Sequence, residues 1–179
     1  MSRILLGAAA SAAIHKACDL ASKLSQEGHE VRAVLPPRAA ELISPQLFEA
    51  LTGHPAQASE FGEARRGGMD HIELAKWAEA FVVAPATADV ISRLALGLGG
   101  DLLTTVALAL APDVPRLLCP AMNPNMLAAP PIARNLVTLR QDGWEVHEPG
   151  VGHMACGDRG PGRMGEPQEI VVALGALLG

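Results

Sequence analysis

Two short stretches in the second half of the chain carry residue types suited to catalysis or binding. Residues 120–126 read PAMNPNM, with Asn123 next to a proline, and residues 155–167 read ACGDRGPGRMGEP, with Cys156 and Arg163. Prolines fix the backbone φ angle, so an amide in this setting is held ready for a ligand. A cysteine in a polar, glycine-rich loop can exchange protons, and an arginine can partner an anion. The alternatives are Asn125 as the key amide, or a purely structural turn.

Polar side chains also follow several predicted strands, at the edge where parallel sheets bind ligands. Ser11 begins the helix after the first strand, where free N–H groups and the hydroxyl can hold a phosphate. An ordinary helix cap is the alternative for Ser11. Thr87 and Asp89 follow the apolar run FVVA, and Thr104 and Thr105 lie at the start of a later helix. All four are predicted to face a ligand or to serve as helix-capping and pocket-lining residues.

His71 has the most suggestive surroundings of the histidines, in the stretch HIELAKWAE on a possible helix. A lone histidine is more often structural than catalytic, so both roles stay open on this basis. The histidines show no HxxxH or HExxH spacing, and the cysteines form no CxxC pair. The sequence therefore predicts no metal site.

The composition predicts one compact domain over residues 1–179. Apolar residues make up 49% of the chain, and the mean hydropathy is +0.23, which argues against disorder. A net charge of −5 offers no basic field for nucleic acid. No apolar run approaches the ~20 residues of a membrane helix. Three cysteines without paired spacing favour a reducing cytoplasm, with Cys18 and Cys119 as packing residues.

The order of apolar runs predicts an α/β fold. A strand over 3–6, a helix over 12–24 and a strand over 29–35 form a βαβ unit, rather than a secretory signal followed by other structure. Further strands are predicted at 81–84, 116–119 and 144–147, and helices near 39–43, 45–52, 88–96, 101–110 and 166–178. This pattern is typical of a doubly wound parallel sheet, Rossmann-like or flavodoxin-like, with helices on both faces. The polar stretch 57–68 is predicted to be an excursion, and 149–167 a long functional loop.

Five motifs in order resemble the flavoprotein family of FMN-containing cysteine decarboxylases, over nearly the whole chain. They are HIELAKWAE at 71–79, APATAD at 84–89, DLLTT at 101–105, PAMNPNM at 120–126 and ACGDRGPGRMGEP at 155–167. The resemblance implies FMN as cofactor and a homo-oligomer, either a trimer or a dodecamer built from four trimers, with flavin and substrate at subunit contacts. The residues expected at the flavin are Ala10, Ser11, Ala12, Thr87, Asp89, Thr104 and Ala121.

The same resemblance assigns roles to the remaining candidates. Asn123 would bind the substrate carboxylate, and Met126 matches the second methionine of its motif. Arg163 is the candidate anion partner because of its residue type and not because of the resemblance. His71 would assist thiol deprotonation or stabilise charge, and Cys156 would deliver the final proton from a flap. Two positions depart from the family pattern, because a glycine of the first turn is Ala10 here and a hydroxyl-bearing residue after the second strand is Pro36.

The implied reaction is FMN-dependent decarboxylation of 4′-phosphopantothenoylcysteine to 4′-phosphopantetheine in coenzyme A biosynthesis. It would proceed through oxidation of the thiol to a thioaldehyde, loss of CO₂ and reduction of the ene-thiol. A synthetase domain or protein would supply the substrate. The alternatives are a peptidyl-cysteine decarboxylase and a flavin-binding regulatory subunit without catalysis. The joint presence of His71, Asn123 and Cys156 favours an enzyme.

Overall fold

The computed structural model describes residues 1–59, 69–153, 155 and 157–179, and its centre is a five-stranded parallel sheet. The strands follow the order β2-β1-β3-β4-β5 across the sheet. Their bounds are β1 Arg3–Gly7, β2 Glu30–Val34, β3 Ala80–Ala86, β4 Arg116–Pro120 and β5 Trp144–Val146. This order changes direction between β1 and β3, and open α/β sheets bind ligands outside the carboxyl ends of the strands at such a switch point.

Helices cover both faces of this sheet. They are α1 Ile14–Gln26, α2 Pro37–Ala40, α3 Pro45–Thr52, α4 Asp70–Trp77, α5 Ala88–Ala95, α6 Leu102–Ala109, α7 Pro124–Ala128, α8 Pro130–Gln141 and α9 Pro167–Leu178. Successive strand residues point to opposite faces, so Ile4 and Leu6 join the apolar core under α1, α3 and α9, whereas Leu5 joins the core under α4, α5, α6 and α8. The predicted doubly wound α/β sheet with helices on both faces is confirmed.

The glycine that ends β1 permits the close packing of α6. A Cβ atom at Gly7 would lie 2.8 Å from Cδ1 of Leu103, which is fully buried. This distance is shorter than van der Waals contact, so a side chain at position 7 would require Leu103 to shift. Gly7 therefore lets α6 approach the sheet at the point where the chain turns into the Ser11 segment.

The structure confirms the five predicted strands of the sheet and contains elements that the sequence did not predict. Within the stretch predicted as a long loop, β6 (Gly150–His153) and β7 (Arg159–Arg163) form an antiparallel hairpin. Helices α7 and α8 were also not predicted. The predicted excursion at 57–68 begins with Gln57, which bridges to the edge strand β2; residues 60–68 lie outside the described residues. In the described ranges, no helix has the length and apolar character needed to cross a bilayer.

Candidate functional site

A cavity of about 630 Å³ opens at the carboxyl edge of the sheet, at the switch point between β1 and β3. Its wall is built from the segments that follow β1, β2, β3 and β4 and from the loop between α5 and α6. This volume lies in the range of about 300–1,000 Å³ that is common for small-molecule sites. We call it the larger cavity.

The turn after β1 presents backbone donors to the larger cavity. Ala10 and Ser11 line it, and the Ser11 Oγ accepts a hydrogen bond from the Ala13 N–H (3.2 Å). The amide N–H groups of residues 10–12 donate no hydrogen bond to another described residue. Adjacent N–H groups before a helix, next to a hydroxyl, are suited to an anion such as a phosphate. The N-cap of α1 is Ala13 rather than Ser11, so Ser11 makes a local turn contact and faces the cavity, and its role at a phosphate stays a prediction.

Thr87 and Asp89 also line the larger cavity, as the sequence predicted for their segment. Thr87 is the N-cap of α5, and its hydroxyl accepts a hydrogen bond from the Val90 N–H (3.5 Å). The Asp89 carboxylate accepts a hydrogen bond from Nε of Arg93 (3.0 Å), and this bond is the main reason that the pKa of Arg93 is raised. The pair is an exposed salt bridge, so it brings polarity to the cavity wall with little net charge.

The structure brings Thr105, rather than Thr104, to the larger cavity. Thr104 is fully buried, and its hydroxyl and N–H complete the capping box of α6 with Asp101, whose Oδ1 accepts from the Thr104 N–H (2.9 Å). Adjacent residues on a helix point ~100° apart, so the two threonine side chains face different directions. Thr104 stays a predicted flavin contact, but its hydroxyl has a structural partner.

The segment after β4 is fixed by three hydrogen bonds. The Ala121 N–H donates to the carbonyl of Ala86 (2.9 Å), which ties the segment to β3, and the Met122 N–H donates to the carbonyl of Gly162 (3.0 Å), which ties it to the hairpin. The Asn123 Oδ1 accepts from the Asn125 N–H (2.8 Å) and caps α7. The prediction of an immobilised amide at Asn123 agrees with this geometry, whereas Asn125 contributes its backbone.

The other side of the Asn123 amide meets the hairpin. Its Nδ2 donates a hydrogen bond to the Asp158 carboxylate, next to β7. A carboxylate is therefore already bound by this amide in the structure. Cys156 lies outside the described residues, whereas Ala155 and Gly157 on either side of it are described.

A second cavity, of about 430 Å³, lies between the hairpin and α1. We call it the smaller cavity. It shares Ser11, Ala121 and Met122 with the larger cavity, so these residues form a common wall. Asn123, Ala12 and Arg163 line the smaller cavity. The structure thus brings candidate residues from four distant segments to two adjoining spaces.

Basic side chains surround one part of the smaller cavity. His15, Lys16, His153 and Arg163 line it. The Lys16 Nζ donates to Oε1 of Glu166 (2.8 Å) and to the carbonyl of Met164 (3.2 Å). The hydrogen bond from Lys16 is the largest cause of the lowered pKa of Glu166, and the charge of Arg163 adds to it. No local sequence pattern identifies the two histidines and the lysine as site residues, because these residues meet only in the folded chain.

His71 and Met126, predicted to act on the substrate, do not line the smaller cavity. His71 is half-buried on α4 and is not among the described residues that line either cavity. Met126, predicted at the substrate, lines the larger cavity and is 47% exposed.

Cys119 is buried in the core, and burial strongly raises the pKa of its thiol, as expected for a packing residue. Among the residues described, no cluster of three or more His, Cys, Asp or Glu side chains could hold a metal ion.

Comparison with known proteins defines the family. The Flavoprotein family model matches residues 1–179, and this chain belongs to that family. It is 45% identical over 169 residues to the coenzyme A biosynthesis bifunctional protein CoaBC of Vibrio vulnificus. The aligned region covers 94% of this chain and 42% of the relative. The chain therefore spans less than half the length of that bifunctional protein.

Solved structures agree with this assignment. A PPC decarboxylase variant in complex with pantothenoylaminoethenethiol superimposes with a TM-score of 0.87 at 29% identity, covering 98% of this chain and 97% of the other. The FMN-dependent cysteine decarboxylase SpaF gives a TM-score of 0.84 at 30% identity, covering 100% of this chain and 98% of the other. The fold is therefore that of the FMN-dependent cysteine decarboxylases.

Proposed function

We propose that this chain is an FMN-dependent carboxy-lyase that converts 4′-phosphopantothenoylcysteine to 4′-phosphopantetheine in coenzyme A biosynthesis. The observation that carries the proposal is the pair of adjoining cavities, which share a wall of Ser11, Ala121 and Met122 and of which the smaller contains Asn123. The similarity to a bifunctional protein of coenzyme A biosynthesis and to PPC decarboxylase supports this substrate.

FMN fits the larger cavity by the chemistry of its wall. The N–H groups of residues 10–12 and the Ser11 hydroxyl are suited to its phosphate, and apolar Leu102 and Met122 offer surface for its ring. Thr87 and Asp89 would contact polar edges of the cofactor. When bound, FMN supplies reversible hydride transfer at the thiol-bearing carbon, so that the substrate acquires a C=S group that accepts the electron pair left by CO₂.

Ala10 and Pro36, the two departures from the family pattern, both line this cavity. Pro36 is buried and has neither a hydroxyl nor an N–H to offer a phosphate. Arg38, two residues further on, is exposed and lines the same cavity. We propose that the Arg38 guanidinium provides the cationic partner that compensates for the missing hydroxyl.

Asn123 would orient the substrate carboxylate. Capping of α7 fixes the orientation of its amide, so that Nδ2 faces the hairpin. The hydrogen bond to Asp158 places a carboxylate against this group, which supports the assignment of Asn123 as a carboxylate-binding residue. The substrate carboxylate would take the position of the Asp158 side chain, and Met126 would contact the ligand from the neighbouring larger cavity.

The hairpin would carry the proton donor. Ala155 lines the smaller cavity, and Asp158 contacts Asn123. These two described residues flank Cys156 along the chain and would lie close to the proposed substrate. We therefore assign delivery of the final proton to the Cys156 thiol.

We further propose a homo-oligomer, a trimer or a larger assembly of trimers, in which His71 acts at a subunit contact. Within one chain His71 lies outside both cavities, although its proposed role requires contact with substrate. Leu96, Leu98 and Leu108 are 67%, 54% and 56% exposed, and the loop that carries two of them borders the larger cavity. Leucines exposed together favour burial against a second copy of the chain.

The oligomer is testable by light scattering of the purified protein. The wild-type chain should have three times the monomer mass or a multiple of it, and Leu108→Glu should lower that mass, because a carboxylate would be buried at the contact. A monomeric and fully active wild-type protein would contradict the proposal. Val172→Glu is the matched control, because Val172 is also exposed and lies on α9, which covers the other face of the sheet.

Peptidyl-cysteine decarboxylation is the second candidate function, because SpaF, an FMN-dependent cysteine decarboxylase, is similar over the full length of this chain and a cysteine at the end of a peptide presents the same thiol and carboxylate. The two functions differ in substrate rather than in chemistry at the cysteine. A fused or separate synthetase would supply phosphopantothenoylcysteine, and the relative from coenzyme A biosynthesis is named as a bifunctional protein. The cytoplasmic location stays a prediction from cysteine usage.

The proposed function is tested by loading the protein with FMN and incubating it with 4′-phosphopantothenoylcysteine or with a peptide that ends in cysteine. We expect CO₂ and phosphopantetheine from the first compound, and no turnover by protein stripped of flavin. CO₂ from the peptide alone would favour the second function. Failure to bind flavin would contradict both.

A further inference from the structure

The basic part of the smaller cavity is charged beyond what a carboxylate site requires. Asn123 alone accounts for the carboxylate in the proposed function, yet Lys16 and Arg163 line the same space together with His15 and His153. The described lining residues include no Asp or Glu, and the carboxylates that contact this lining are Asp158, bonded to Asn123, and Glu166, bonded to Lys16. A second anion is therefore expected in this cavity.

The two permanent cations are held in place by one carboxylate. Glu166 Oε1 lies 2.8 Å from Nζ of Lys16 and 3.5 Å from Nη2 of Arg163. Two positive charges and one negative charge leave a net charge of +1 when both histidines are neutral. A lysine ammonium has three N–H donors and a guanidinium has five, so both side chains keep donors beyond those used by Glu166.

The hairpin also fixes the course of the Arg163 side chain. A Cβ atom at Gly152 would lie 2.8 Å from Nη1 of Arg163, so the guanidinium crosses β6 where a side chain is missing. The Lys16 side chain is only 15% exposed. Both cations are thus positioned before a ligand arrives, which reduces the entropy lost on binding.

We propose that Lys16 and Arg163, with His15 and His153 beside them, bind the phosphate of the substrate. This inference rests on the proposed function and extends it to the feature that separates phosphopantothenoylcysteine from a cysteine-terminated peptide. The substrate would lie in the smaller cavity with its carboxylate at Asn123 and its phosphate at the basic side chains. Charge-assisted hydrogen bonds to phosphate are among the stronger ones in proteins.

The test compares 4′-phosphopantothenoylcysteine with unphosphorylated pantothenoylcysteine in Lys16→Gln, Arg163→Gln and the double variant. For each protein the measured quantity is the ratio of kcat/KM for the two substrates, which does not depend on the fraction of protein that is folded. Each single variant should lower the ratio about ten-fold or more. Lys23→Gln removes a lysine from the end of the same helix and should leave the ratio unchanged within about two-fold.

Direct binding gives a second readout. The Kd of 4′-phosphopantetheine, measured by calorimetry on the FMN-loaded protein, should rise about ten-fold in each variant, and the Kd of pantetheine should stay the same. An unchanged ratio in active variants would overturn the phosphate site while leaving the proposed function intact. Equal losses on both substrates would overturn it too.

Two further outcomes distinguish a substrate-phosphate site from a cofactor-phosphate site and from failure of the proposed function. If the variants weaken FMN binding and leave the substrate ratio unchanged, the basic side chains bind the cofactor phosphate, and the inference is wrong. If the wild-type protein releases no CO₂ from phosphopantothenoylcysteine, the proposed function and this inference fall together.

Discussion

Replacing Asn123 by serine and by alanine separates its structural contribution from its proposed role in binding. The Oδ1 atom caps α7 by accepting the Asn125 N–H at 2.8 Å, while Nδ2 faces the Asp158 carboxylate. Serine is as good an N-cap as asparagine but has no amide N–H group at that reach. Alanine loses both functions.

The expected magnitudes follow from these two contacts. Loss of an N-cap costs about 1 kcal/mol, so Asn123→Ala should unfold about 2–4 °C below Asn123→Ser. Loss of a hydrogen bond to a charged group costs about 1.5–3 kcal/mol. Both variants should therefore lose about ten- to hundred-fold in kcat/KM, because each 1.36 kcal/mol corresponds to a factor of ten.

The assay combines thermal unfolding with CO₂ release from phosphopantothenoylcysteine. Asn125→Ala is the matched control, since its side chain lines neither cavity and its backbone N–H is retained. We expect this control to keep its activity within about two-fold. Wild-type kcat/KM in Asn123→Ser would refute the role of the amide, and a large loss in the control would transfer that role to Asn125.

Three further predictions concern stability and reactivity. Gly7→Val should lower the free energy of unfolding by about 1–3 kcal/mol, because its Cβ would lie 2.8 Å from a carbon of Leu103; denaturant titration measures this. The pKa of Glu166 is lowered in the folded protein, so its pair with Lys16 stabilises the fold above the unfolded pKa of about 4.3. This stabilisation is lost as the pH falls through the folded pKa. The difference in Tm between wild type and Glu166→Gln should therefore shrink below about pH 4. Cys119 should not react with a thiol reagent until the protein unfolds, because burial raises its pKa.

These predictions have their own contradicting outcomes. Gly175→Ala is the control for Gly7→Val, because no neighbouring atom lies within 4 Å of a Cβ at this exposed helical position. This control should raise the free energy of unfolding by about 0.5–1 kcal/mol. Equal effects of the two substitutions would show that the Gly7 contact is unimportant. A Tm difference that is constant from pH 7 to 3 would contradict the role of Glu166, and rapid native labelling of Cys119 would contradict its burial.

The sheet could be predicted from the sequence because its strands are apolar runs separated by helices. The hairpin could not, because Gly150, Gly152 and Gly160 give no alternation of side chains. Its position depends instead on a backbone hydrogen bond from Met122 to the carbonyl of Gly162. Such pairing is a tertiary interaction that leaves no local pattern.

The candidate site shows the same division. Asn123 was predictable, since a strand end and flanking prolines are local features. The choice between Thr104 and Thr105 depends on the rotation of α6 about its axis, which packing against the sheet determines. The basic group of the smaller cavity combines Lys16 on α1 with Arg163 on β7, residues far apart in the chain. The sequence motifs identify the segments that form the site, whereas tertiary packing determines which of their side chains come into contact.

The most direct test of the two-cavity account is a crystal structure of the FMN-loaded protein with bound 4′-phosphopantetheine. We predict the flavin in the larger cavity and the thiol end of the ligand in the smaller one, with the thiol-bearing carbon in contact with the flavin beside the common wall of Ser11, Ala121 and Met122. A flavin bound elsewhere, or a thiol that lies out of contact with that wall, would contradict the account.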